Sequence, residues 1–69
     1  MTQCEKIVDY IDEFGEISPV EAFSDLGVMR LASRIHDLKR QGYNIVSETR
    51  TSKNRYGDPV SYKVYRFAN

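Results

Sequence analysis

The stretch VMRLASRIHDLKRQGYNI, Val28 to Ile45, decides the fold. Leu31, Ile35 and Leu38 recur at helical spacing on one face, with Val28 beside them. Ser33, His36, Asp37, Arg40 and Met29 point roughly the other way, and Arg30 and Arg34 lie on one flank. Gly42 ends the pattern, and Tyr43-Asn44-Ile45 leads into sequence suited to a strand. The spacing predicts an amphipathic helix over 29–41, apolar on one side and carrying Arg30, Arg34, Lys39 and Arg40 on the rest.

Upstream, two shorter patterns carry their own start signals. Thr2 and Glu5 fit a capping box, and Cys4, Ile7, Val8, Ile11 and Phe14 then form one apolar stripe. Gly15 is a natural stop, so a first helix is expected over 3–14. Ser18, Pro19 and Glu21 repeat the signal, with proline at a position where its missing N–H costs nothing. Ala22, Phe23 and Leu26 supply the buried side of a second helix over 19–26, which Gly27 breaks. About two turns cannot stand alone, so this helix must lean on its neighbours. The expected core sets Leu31, Ile35 and Leu38 against Ile7, Ile11 and Phe23.

Downstream the pattern turns to strands. YNIVSETRTS is rich in β-branched residues, and Val60, Tyr62 and Val64 alternate with Ser61, Lys63 and Tyr65. KNRYGDP between them collects turn formers, which places a hairpin tip near Asn54–Asp58. Tyr65 and Phe67 put apolar groups on the second face too, so the register is left open. A short piece around Glu16–Ile17 is expected to add a third strand. Two helices joined through a glycine-containing turn, the second basic and amphipathic, match a helix-turn-helix. Three helices followed by a β-hairpin wing make an α+β winged helix-turn-helix, one domain over 1–69.

The charge distribution narrows the function. The chain of 69 residues has no formal net charge, but the two signs are segregated. Met1–Val28 holds seven acids against Lys6 alone, a net −6; Met29–Asn69 holds nine bases against three acids, a net +6. A basic end of this kind can hold a polyanion. A hydrophobic fraction of 41% with 29% charged residues is ordinary for a globular chain, and no apolar run suits a membrane span. The opening MTQCEKIVDY has an acid where a signal peptide places lysines, and a single cysteine forms no internal disulfide. A cytoplasmic location is expected.

Catalysis has little to draw on. Cys4 and His36 lie on different helices, and neither nucleophile-elbow nor phosphate-loop patterns occur. No metal-ligand spacing is present, so the chain reads as a non-enzyme without cofactor, metal or small-molecule substrate. Cys4 is expected to act as a small core hydrophobe, and Asp12 and Glu13 as a solvated face.

LGVMRLASRIHDLKRQGYNI followed by KNRYGDPVSYKVYRF resembles the small helix-turn-helix proteins of bacteriophages and prophages, over nearly the whole chain. The most specific part is Arg30-Leu31-x-x-Arg34-Ile35-x-x-Leu38, then Gly42 and Ile45. The leucine, isoleucine and glycine positions follow from packing in any winged helix. Arg30, Arg34 and the KNRYG tip therefore discriminate best. The resemblance implies a compact DNA binder, and with it a phage or prophage regulator or accessory factor in the cytoplasm of a bacterial host.

Double-stranded DNA is accordingly the expected partner. A major groove admits one α-helix, and Met29, Arg30, Ser33 and His36 lie along the exposed side of the third helix toward its start. Arg30 suits a bidentate contact with guanine, Ser33 allows close approach, and Arg34, Lys39 and Arg40 suit phosphates. The wing brings Arg50, Lys53, Asn54, Arg55 and Tyr56 toward the backbone or an adjacent minor groove. Each has a plainer role: Arg34 paired to an acid, His36 an ordinary surface histidine, Lys39 answering the helix dipole, the tip lysine protecting an edge. Asp37 repels phosphate and is expected to orient Arg34 or Arg40 instead. A module this small makes few contacts, so a homodimer or a protein partner is a further expectation. The competing function is a protein-interaction module that docks a basic host or phage protein on Asp9, Asp12, Glu13 and Glu16.

Overall fold

The computed structural model describes residues 2–68. Three helices, α1 (Gln3–Phe14), α2 (Pro19–Leu26) and α3 (Leu31–Arg40), are followed by strands β1 (Ile45–Lys53) and β2 (Pro59–Phe67). Both predicted capping boxes form. Thr2 Oγ1 accepts from the Glu5 N–H while Glu5 Oε1 accepts from the Thr2 N–H, and Ser18 and Glu21 repeat the exchange at α2. These reciprocal bonds satisfy N–H groups that a helix start otherwise leaves orphaned.

The third helix begins two residues later than its periodicity suggests. No Ser, Thr, Asp or Asn stands before Leu31, and Arg30 occupies the cap with φ −120° and ψ 66° and no side-chain bond to the helix. Val28 explains the delay. It is buried, and its N–H donates back to the Ala22 carbonyl at 2.9 Å, which holds Gly27–Arg30 as a turn. At the other end Gly42 takes φ 105°, its N–H donates to the Lys39 carbonyl, and the Tyr43 N–H reaches the Leu38 carbonyl. That closure needs a left-handed residue, which glycine adopts without a Cβ penalty.

β1 and β2 pair antiparallel without a bulge from Ile45 opposite Phe67 to Lys53 opposite Pro59. The expected third strand is a single bridge, in which Ile17 and Tyr65 exchange two backbone hydrogen bonds of 2.9 Å. The core gathers Ile7, Ile11, Ile17, Val28, Leu31, Ile35, Leu38, Ile45 and Tyr65, with Cys4, Val8, Leu26 and Phe67 packed on it. Val64 and Tyr65 are both buried although they point to opposite faces. Tyr65 shares the core face with Ile45 and Phe67, while Val64 lines a hollow of about 290 Å³ with Ser18, Val20 and Tyr62.

Two aromatic assignments are corrected. Phe23 is 58% exposed and Phe14 61%, so neither belongs to the core. Tyr10 fills the seam between α1 and α2 instead; it is buried, and its hydroxyl donates toward Asp25 Oδ2 at 2.8 Å and Glu21 Oε2 at 3.0 Å. Phe14 lies against the outer side of the Tyr10 ring, with centroids 4.6 Å apart. Ala22 lets α2 approach α1 closely, which leaves the larger Phe23 ring on the flank.

Candidate nucleic-acid interface

Met29 and Arg30 stand on the turn that leads into α3, and Ser33, His36 and Arg40 follow on its exposed face. This corrects the expectation that all five ride on the helix. It also places Arg30 directly at the helix start. No acid occupies the first turn of α3, and no side chain caps it. The N–H groups of that turn and the positive end of the helix dipole therefore have no side-chain acceptor, and an exposed arginine stands at the cap position. Gln3, Gly27, Met29, Arg30 and Arg34 line an open hollow of about 320 Å³ there.

The cations divide into two groups. Arg30, Lys39, Arg40, Lys53, Arg55 and Lys63 are exposed and make no ion pair with any described residue. Arg34, Arg50 and Arg66 are engaged, Arg66 with Glu48 at 4.0 Å. Arg34 Nη2 lies 3.3 Å from Asp37 Oδ2 one turn along the same helix, so the carboxylate that seemed to oppose polyanion binding orients an arginine. The Arg34 Nε is buried without a partner among the described residues.

Arg50 is held more firmly. Its two terminal nitrogens donate to Glu16 at 2.5 and 2.8 Å, and Glu48 lies 3.6 Å away. Glu16 precedes the Ile17 bridge, so the bidentate pair reaches across β2 and ties the wing to the α1–α2 linker. The Arg50 hydrogen bonds hold the Glu16 carboxyl below its usual range, and Glu16 in turn raises the guanidinium. Arg50 thus anchors the wing, and the free Lys53 and Arg55 lie farther out toward its tip.

The wing tip is shaped by one side chain. Asn54 Oδ1 accepts from the Tyr56 N–H at 2.9 Å and the Asp58 N–H at 3.0 Å. That turn closes with the Gly57 N–H on the Asn54 carbonyl and displays Lys53, Arg55 and Tyr56 to solvent. Of the expected contact residue Asn54, the amide nitrogen is free to donate, but the oxygen is committed to the turn.

The acidic half is also sorted by geometry. Glu21 and Asp25 both accept from the one Tyr10 proton, whose pKa is raised chiefly by the Asp25 hydrogen bond and by burial. Asp9, Asp12 and Glu13 are exposed and pair with no described cation. Sequence reasoning missed Tyr10, because a tyrosine inside an apolar stripe gives no sign of the carboxylates its hydroxyl will meet. It also missed the anchoring of Arg50, since Glu16 is far away in sequence.

Among the described residues no three His, Cys, Asp or Glu side chains gather as a metal site, and no helix is long and apolar enough to cross a membrane. Residues 2–69 match the family model of the winged helix-turn-helix domain, and the chain belongs to that family. No curated protein and no solved structure matches it.

Proposed function

We propose that this winged helix-turn-helix domain binds double-stranded DNA, with α3 entering the major groove and the wing tip lying on the backbone or in an adjacent minor groove. The observation that carries the reading is the division of the charges. Arg34 and Arg50 are tied to acids inside the molecule, whereas Arg30, Arg40, Lys53 and Arg55 are exposed without such partners. The uncapped start of α3 supports it, because phosphates are favoured where helix N–H groups are open.

In this reading Arg30 contacts a guanine edge or a phosphate at the start of α3. Met29, Ser33 and His36 meet the groove, and Arg40 holds backbone. Lys53, Arg55 and the Asn54 amide serve the wing, while Arg34 and Arg50 position these elements from behind. The resemblance to phage and prophage helix-turn-helix proteins makes a transcriptional regulator or accessory factor in a bacterial cytoplasm the biological role.

Fluorescence anisotropy on a random duplex tests the proposal. With about four to six phosphates neutralised, log K should fall against log salt with a slope of about −4 to −5. Absence of binding at low salt sinks the reading. A second reading rests on Asp9, Asp12 and Glu13, exposed and unpaired among the described residues: this face docks a basic protein.

A further inference from the structure

We propose that the chain forms a homodimer by pairing β1 with β1 of a second copy, antiparallel about a two-fold axis at Thr49. The inference stands apart from the DNA reading, because it is argued and tested without DNA.

The argument begins with where the backbone groups of β1 point. The Asn44 carbonyl accepts from the Ala68 N–H, and the Asn54 N–H donates to the Asp58 carbonyl. Both pairs lie on the register that continues through the hairpin. Hydrogen-bonded pairs alternate along an antiparallel ladder, so Val46, Glu48, Arg50 and Ser52 turn their backbone groups to β2. Ser47, Thr49 and Thr51 turn theirs outward. The outer edge of β2 is met by Ile17 at Tyr65, but no described residue bonds the outward groups of β1. The helices pack on one another and on β2, and β2 is the one substantial neighbour of β1.

Apart from the charges of Glu48, Arg50 and Lys53, this edge lacks the usual protections. Nine residues run without a bulge, without proline and with no covering element, and only Lys53 at the far end acts as an edge lysine. The outer half of the hairpin is exposed on both faces, and a two-stranded ribbon of that kind is marginal alone. Strand addition there creates a sheet of four strands plus the two Ile17 bridges.

The charges select both the partner and the register. With the axis at Thr49, Glu48 lies opposite Arg50 of the second copy, and Arg50 opposite its Glu48. Moving the axis one residue either way sets Glu48 against Glu48, or Arg50 against Arg50, and like charges directly opposite are destabilising. Self-complementarity about one residue is what an isologous contact requires. Thr49 meets its own copy in a hydrogen-bonded pair, flanked by Ser47 with Thr51 on each side. These three pairs supply about six new backbone hydrogen bonds.

Sedimentation equilibrium and register-specific cross-linking test the dimer. The wild-type mass should climb from 8.0 kDa toward twice that with concentration. Thr49→Pro removes an outward N–H without touching the β1–β2 ladder, and should hold the mass at 8.0 kDa with an unchanged circular dichroism spectrum. In a Cys4→Ala background, Thr49→Cys should cross-link under mild oxidation, since hydrogen-bonded pairs set Cα atoms about 5.5 Å apart. Ser47→Cys should cross-link at least about tenfold less, because its copies stand roughly 14 Å apart. If the proline variant unfolds, the contrast between the two cysteines decides alone. A wild-type chain that stays monomeric at millimolar concentration overturns the proposal and leaves the edge to a strand from another protein. Equal cross-linking at both positions overturns it as well.

Discussion

Arg30 and Arg55 occupy the two ends of the proposed DNA surface, one at the start of α3 and one at the wing tip. Both are exposed, so Arg30→Glu with Arg55→Glu should shift stability by under about 0.5 kcal/mol while abolishing duplex binding. Taken singly, Arg30→Ala should cost about 1–3 kcal/mol and relax preference at one base pair if it reads a base, or weaken all sequences alike if it holds phosphate. Anisotropy on a panel of duplexes separates these cases. The core gives a matching contrast. Leu38 is 1% exposed, and Leu38→Ala should lower unfolding free energy by about 2–5 kcal/mol, a large part of what a domain this small possesses. Phe23→Ala should cost about 0.5 kcal/mol or less, because the ring lies outside the core. Urea denaturation measures both. Periodicity alone put Phe23 inside, since spacing does not reveal which neighbour reaches a seam first. Tyr10 reached it because its hydroxyl finds Asp25 and Glu21 there.

Elements with strong local chemistry were legible before any packing was considered. The bounds of α1 and α2 agree with their capping boxes and glycine stops, because those signals act within one turn of chain. α3 lacks such a cap, and tertiary burial of Val28 decided where it starts. The wing depends on a contact between distant segments, the Glu16–Arg50 pair. Its pH dependence follows from the lowered Glu16 pKa. A carboxyl held below its unfolded value favours the fold fully above that value, and the contribution fades as pH falls through the folded pKa. The thermal midpoint of wild type should therefore exceed that of Glu16→Gln at neutral pH. The gap should close as pH drops below the ordinary glutamate value of 4.5. A gap that persists unchanged as pH falls well below 4.5 would show that the pair contributes nothing through charge.

Over the whole molecule the charges of the two signs are segregated along the chain. A zero net charge joins an acidic first half to a basic second half, and that second half carries α3 and the wing of the winged helix-turn-helix domain. Asp9→Lys with Asp12→Lys removes exposed acids far from any assigned contact. On the DNA reading it leaves affinity unchanged or raises it at low salt, and any gain vanishes as salt screens the field beyond about 10 Å. On the protein-partner reading the same pair is the damaging change, and Arg30 and Arg55 matter little. Pull-down with both double mutants, beside the anisotropy titration, distinguishes them. Loss of partner and function in the acidic variant alone would displace DNA binding as the main role.

By itself the sequence determined the helix–helix–helix–hairpin order, the caps, the core stripe Leu31–Ile35–Leu38 and the tip of the wing. Each rests on short-range chemistry: hydrogen bonds within a turn, side-chain period, and the backbone freedom of a few glycines. Only the tertiary structure decided that Arg50 is taken. Asp37, one turn from Arg34, marks that pair locally, but Arg50 looks the same as Arg30 and Arg55 along the chain. Folding brings Glu16 across β2 to Arg50, while Arg30 and Arg55 are left in solvent. An ion pair needs its partner within a few ångströms, and Glu16, distant along the chain, comes that close to Arg50 only through the fold.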